Sequence, residues 1–240
     1  MVNACNAIDI EVVTPTSVPD ILDRDLDNSA EAWAVFPVGS PTYLVGPANV
    51  TLGDDDHALQ CSITGGAVYS GAHCYRNLPA EPAANIFTLS MAFQFSPETT
   101  CNNQGTPSVV QAIEFSMSKW DQGLRYEWAV QWENVGASEG DGAPQWRYWD
   151  GSQWVSFTPK LVSCVPGNKW HTLTLSGHII NGQVQYDTFI MDAQAYSLNI
   201  IVPAIQSSEP DKLAVAVQVN SNAVASPYDL FINQVNLIRQ

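Results

Sequence analysis

Residues 109–133, VVQAIEFSMSKWDQGLRYEWAVQWE, constrain the chain more than any other stretch. Ile113, Phe115 and Met117 alternate with Glu114, Ser116 and Ser118. After the interruption near Asp121-Gln122, Tyr126, Trp128, Val130 and Trp132 alternate with Arg125, Glu127, Gln131 and Glu133. Successive side chains of an extended strand point to opposite faces, so each set occupies one face of a sheet. The stretch therefore reads as one long β-hairpin. Its first face is apolar, while the second carries carboxylates, a guanidinium and amides, groups that suit hydroxyl-rich ligands.

The rest of the chain repeats the theme. About fourteen candidate strands run from 8–13 to 228–238, separated by turn-forming segments such as TGG, CNNQG, VPGN and NGQ. Asp150-Gly151 and Asn181-Gly182, each between apolar-alternating runs, are short-hairpin signals. No helical periodicity separates the strands, which predicts antiparallel sheets packed face to face. No repeat or linker divides the 240 residues, so one domain over 1–240 is expected.

Charge narrows the partners. Nine basic residues stand against 24 acidic ones, a net charge of −15. Without a basic patch there is nothing to displace phosphate counterions, which argues against nucleic acid and anionic membranes. The balance suits a neutral polysaccharide or a cation such as calcium, although acidity also keeps a protein soluble. No apolar run reaches membrane-spanning length.

Cysteines 5, 61, 74, 101 and 164 form no C-x-x-C pair. Cys61 and Cys74 flank the Gly65-Gly66 turn on consecutive candidate strands, and Cys101 and Cys164 sit in loop-like segments. Pairings 61–74 and 101–164 are preferred among the three that four cysteines allow, leaving Cys5 over. Such bridges imply an extracellular or periplasmic home, with Met1 standing in place of a removed leader.

Seven of the eight tryptophans lie between 120 and 170. Trp128 and Trp132 share the parity of Tyr126 and Val130 and are assigned to the core. Trp120, at the hairpin tip, and Trp149, beside the Asp150-Gly151 turn, are the better candidates for rings that stack on a sugar. The four histidines are scattered, and His171, beside alternating leucines, reads as a satisfied structural histidine.

The strand pattern from DNSAEAWAVF through HALQCSITGGAVYSGAHCYRNL and NIFTLSMAFQF, the AIEF strand, and the closing strand YDLFINQVNLIR together resemble the concanavalin A-like superfamily of legume lectins, laminin-G domains and glucanases. The resemblance implies a two-sheet antiparallel jelly roll, a glycan partner, and a closing strand beside the first. Its departures bear on function. Glu114 matches the glutamate of the legume-lectin A-V-E-F-D metal strand, but Ser116 replaces the aspartate, which argues against a lectin-type metal pair. Glu127 and Glu133 lie about 20 Å apart along one strand, too far for the glucanase E-x-D-x-E dyad. The run Asp23-Arg24-Asp25-Leu26-Asp27-Asn28 resembles the start of a calcium loop, with Ala34 where a closing glutamate would stand. In related sugar-binding modules calcium joins the first and last strands, which adds Asp20 and Asp229 as candidate ligands.

These readings lead to a secreted, lectin-like domain binding a neutral glycan through Arg125, Glu127 and Gln131, with Trp120 or Trp149 stacking. A glycoside hydrolase is the alternative. With the turn at Asp121-Gln122, Ser116 falls opposite Glu127 and Glu114 diagonal to it, about 7–8 Å away at Cα, and carboxyl pairs about 5–9 Å apart cleave glycosides. A polysaccharide lyase is less favoured, because Arg125 and Tyr126 point to opposite faces. A structural or adhesive surface protein, with Cys5 as anchor or interchain bridge, is the third reading.

Overall fold

The computed structural model describes residues 21–53, 57–97, 110–134, 144–159 and 165–240. Sixteen strands follow one another among the described residues. They are β1 (Ile21–Asp23), β2 (Ala34–Val38), β3 (Pro41–Ala48), β4 (Ala58–Gly66), β5 (Gly71–Leu78), β6 (Ile86–Ser96), β7 (Val110–Asp121) and β8 (Leu124–Glu133). Then come β9 (Gln145–Trp149), β10 (Trp154–Ser156), β11 (His171–Ile180), β12 (Gln183–Met191), β13 (Gln194–Pro203), β14 (Ile205–Gln206), β15 (Lys212–Ser221) and β16 (Tyr228–Arg239). Helix among these residues is limited to two short 3-10 turns, Leu26–Asn28 and Ala30–Ala32.

The strands form two antiparallel sheets. One has the order β13-β12-β11-β6-β16-β4-β3, and the other β10-β9-β8-β7-β15-β5-β2. The closing strand β16 pairs with β1, Ile21 opposite Arg239, while the candidate first strand 8–13 lies outside the described residues. Strands adjacent in sequence, such as β4 and β5, often belong to different sheets, which makes this a jelly roll rather than a meander.

Period-2 alternation decides which side chains meet between the sheets. Ile113, Phe115, Trp128, Val130 and Trp132 are fully or almost fully buried, as their parity predicts. Rings interdigitate across the sandwich, Phe93 on Phe115 at 4.7 Å, Phe87 on Trp128 at 5.1 Å and Phe95 on Trp132 at 5.4 Å. The Trp128 indole N–H donates to Gln185 O on the facing sheet at 2.8 Å. A Cβ on Gly177 would stand 2.2 Å from that nitrogen, so the bulge there needs glycine for the sheets to close. Cys61 of β4 and Cys74 of β5 are bonded, with Cα atoms 6.3 Å apart. The bridge therefore joins the two sheets through the core. Cys5, Cys101 and Cys164 lie outside the described residues.

Three turn expectations need correction, the first at Gly65-Gly66, which lies in β4 and pairs with Pro41 and Thr42 of β3. The β7–β8 turn is Gln122-Gly123, with Asp121 opposite Leu124. Both turn residues have positive φ, 51° and 79°, which a two-residue hairpin turn of this hand requires and glycine supplies at the second position. The Asp150-Gly151 turn is a four-residue loop between Trp149 and Trp154, closed by three hydrogen bonds to Asp150 Oδ1. Asn181-Gly182 forms the two-residue hairpin its sequence predicts.

Candidate functional site

The outer face of the β10–β2 sheet holds a trough of about 720 Å³, well within the range of ligand sites. Its plan follows from the register. One row across the strands reads Phe36, His73, Gln218, Glu114, Gln131, Arg147. The next reads Tyr75, Ala216, Ser116, Ala129, continued by Trp149 one residue beyond the last β8–β9 pair and by its partner Trp154. The third reads Asn77, Ala214, Ser118, Glu127. Small side chains in the middle row leave a floor. Tyr75 bounds one end, and the paired rings of Trp149 and Trp154, 5.4 Å apart, bound the other. Four strand spacings separate those ends, about 19 Å.

Ser116, which breaks the lectin metal motif, is thus a floor residue. The two glutamates stand on opposite flanks of the floor. Glu114 pairs with Gln131, and Glu127 with Ser118. The expected diagonal contact is therefore corrected by a two-residue shift of register, which preserves the face of every side chain because the strand period is two. Their Cα atoms lie about 14 Å apart.

The carboxyls have different surroundings. Glu114 is 8% exposed, lines the trough and makes no side-chain hydrogen bond or ion pair among the described residues. Burial, reinforced by the Glu127 charge and opposed by Arg125, raises its pKa to about 8. Glu127 is also raised by burial, but Arg125 Nη2 lies 2.9 Å from its Oε2 and pulls it back down. His73 Nδ1–H donates to Gln218 Oε1 at 3.1 Å, and burial lowers its pKa.

Of the residues expected from sequence, Glu114, Trp120, Arg125, Glu127 and Trp149 all line the trough. Trp120 lies under Lys212 Nζ at 4.7 Å rather than as a bare ring. Gln131 is corrected: it is buried, accepts from Arg147 and does not line the trough. Arg147 is held in turn by Glu133 at 2.8 Å. His73, Tyr75 and Trp154 were missed. Cys74, assigned to a bridge, had to face the core, so His73 and Tyr75 had to face outward. His171 is buried and bonded to Asp192 and Pro166 O, the structural role expected of it.

The candidate calcium ligands among the described residues have other partners. Asp23 pairs with Arg239 at 2.8 Å, buried Asp27 accepts from the Val235 N–H, and Asp229 accepts from Gln60. Asp25 contributes its backbone N–H to Asn236. Among the described residues no three His, Cys, Asp or Glu side chains are grouped to hold a metal ion. Asp20 lies outside them. No helix among the described residues is long and apolar enough to cross a membrane.

An antiparallel two-sheet sandwich with an aromatic-walled trough on one outer face defines the class: the protein has the concanavalin A-like jelly-roll fold. Solved structures with this architecture include an endo-β-1,4-glucuronan lyase from the fungus Trichoderma reesei, 11% identical, with TM-score 0.53 over 90% of this chain and 94% of that one. A peanut lectin is 9% identical, with TM-score 0.51 over 93% and 99%. No protein-family model matches the sequence, and no curated protein matches it. At these identities the likeness is one of fold.

Proposed function

We propose that the protein binds a neutral, extended glycan lying across the strands, between Tyr75 and the Trp149–Trp154 pair. The observation that carries this reading is the middle row, where rings at both ends face a floor of Ala216, Ser116 and Ala129. Aromatic faces stack on the C–H faces of sugar rings, and the small floor lets the chain lie low enough for Glu114, Glu127 and Ser118 to reach its hydroxyls. Neutrality follows from the cations. Arg125 is engaged by Glu127 and Lys212 by Glu209 at 3.1 Å, so neither is set aside for an acidic sugar. The fold shared with a lectin and a polysaccharide lyase agrees with a glycan ligand.

A glycan array followed by calorimetry on oligosaccharides of increasing length tests this. Affinity should rise with length, and Trp149→Ala or Tyr75→Ala should weaken it about tenfold or more while the melting temperature holds, since one lost stacking contact is worth about 0.5–1.5 kcal/mol plus its buried area. Absence of binding to every neutral glycan would overturn the proposal. The Cys61–Cys74 bridge supports an oxidising compartment, with the protein exported from the cytosol.

A further inference from the structure

We propose that the trough also cleaves the glycan it holds, by hydrolysis with inversion, with Glu114 as general acid and Glu127 as general base. The inference rests on the glycan reading above and adds an activity to it. Three observations carry it. The two carboxyls rise from opposite flanks of the floor, so a sugar lying between Tyr75 and Trp149 passes between them. Glu114 is more than nine-tenths buried, is aimed into the trough and has no hydrogen-bond or ion-pair partner among the described residues. Glu127 is held at 2.9 Å by a guanidinium.

The spacing selects the stereochemistry. Retaining enzymes need carboxyls about 5–5.5 Å apart, because one attacks the sugar directly, whereas inverting enzymes leave about 6.5–9.5 Å for a water. Cα atoms about 14 Å apart on the two flanks are too far for the direct attack of a retaining pair and leave space between the carboxyls for a water and a sugar. In the step itself Glu127 takes a proton from water as its oxygen bonds to the anomeric carbon. The bond from that carbon to the bridging oxygen breaks, and Glu114 gives its proton to the departing oxygen. One water is consumed, and the new reducing end has the opposite anomeric configuration. Glu127 then releases its proton to solvent and Glu114 regains one.

The surroundings divide the roles. Burial without a cation partner keeps Glu114 protonated to about pH 8, and the Glu127 charge strengthens the effect. Arg125 opposes the burial of Glu127 and favours its carboxylate. The other groups facing them are His73 and Gln218 on the Glu114 flank, Arg147 with Glu133 beyond Gln131, and Lys212 with Glu209 beyond Trp120. A different elimination chemistry would need a free cation against a sugar carboxylate, and the trough's Arg and Lys are already paired.

The test incubates the full chain with neutral β-glucan, xylan, mannan and galactan, following reducing ends and the anomeric proton signal. Inverted product is expected, with turnover lowered about 10²-fold or more in Glu114→Gln and in Glu127→Gln, far more than oligosaccharide affinity. Activity should fall above about pH 8 as Glu114 ionises. It should also fall below the raised pKa of Glu127, and Arg125→Ala, a change in a positioning residue, should move that acidic limb upward. Glycans bound but never cleaved would overturn this inference and leave the binding proposal standing. Retained configuration, or full activity in either glutamine variant, would overturn it too. Absence of any binding would instead sink the underlying glycan reading.

Discussion

Glu114 shows how one residue's surroundings become a property of the whole chain. Its carboxyl has a folded pKa of about 8, raised by burial, against an ordinary value in the unfolded chain. The native state therefore holds a proton that the unfolded state gives up at lower pH. Its contribution to stability is intact below the unfolded pKa and is lost progressively as pH rises towards 8, a range worth on the order of a few kcal/mol. Glu114→Gln keeps the shape and removes the titration. Its melting temperature should gain on the wild type steadily between pH 5 and pH 8, as read by thermal scans across that range. A difference that stays flat with pH would show that Glu114 does not fold protonated. Lys119, on the core face of the same strand, meets the same cost differently, donating to Pro82 O and Ala84 O at 2.9 Å and pairing with Asp121.

At the scale of elements, the β7–β8 hairpin sets the site. Its turn places Trp120 opposite Arg125 and Glu127 opposite Ser118, and every row of the trough inherits that register. Gln122 and Gly123 both sit in the left-handed region. A side chain there costs about 1–2 kcal/mol, so Gly123→Ala should lower unfolding stability by about that amount, measured in urea. Gln122→Asn, a residue that tolerates the same conformation, should act in the opposite direction. Equal stability in both variants would mean that the strands, not the turn, hold the register. The faces of this hairpin were legible in the sequence, because alternation is local and survives any even shift of register. The register was not legible, since Asp121, Gln122 and Gly123 allow more than one turn and the choice depends on φ at two residues.

Over the whole molecule, the Cys61–Cys74 bridge ties one sheet to the other, with β4 and β5 on opposite sides of the core. Closing a loop of 13 residues restricts the unfolded chain by about 3 kcal/mol. Non-reducing mass mapping of the purified protein should find this bridge, and the Cys61→Ala, Cys74→Ala double variant should lose about 3 kcal/mol without losing the fold. A free thiol pair at 61 and 74 in protein purified under oxidising conditions would remove the support for an exported protein. The sequence by itself determined the class of fold, the buried face of each long strand and five residues of the trough, because alternation and parity act over a few neighbours, and it favoured the 61–74 bridge among three pairings. Only the tertiary structure decided that His73, Tyr75 and Trp154 join them. It also turned Gln131 into a buried partner of Arg147 and dispersed the aspartates across ion pairs and backbone caps. Those outcomes depend on which strands become neighbours and in what register, and β2, β5 and β15 reach the hairpin from distant parts of the chain. Such pairings are set by the packing of the two sheets as a whole, a cooperative property that no short window of residues contains.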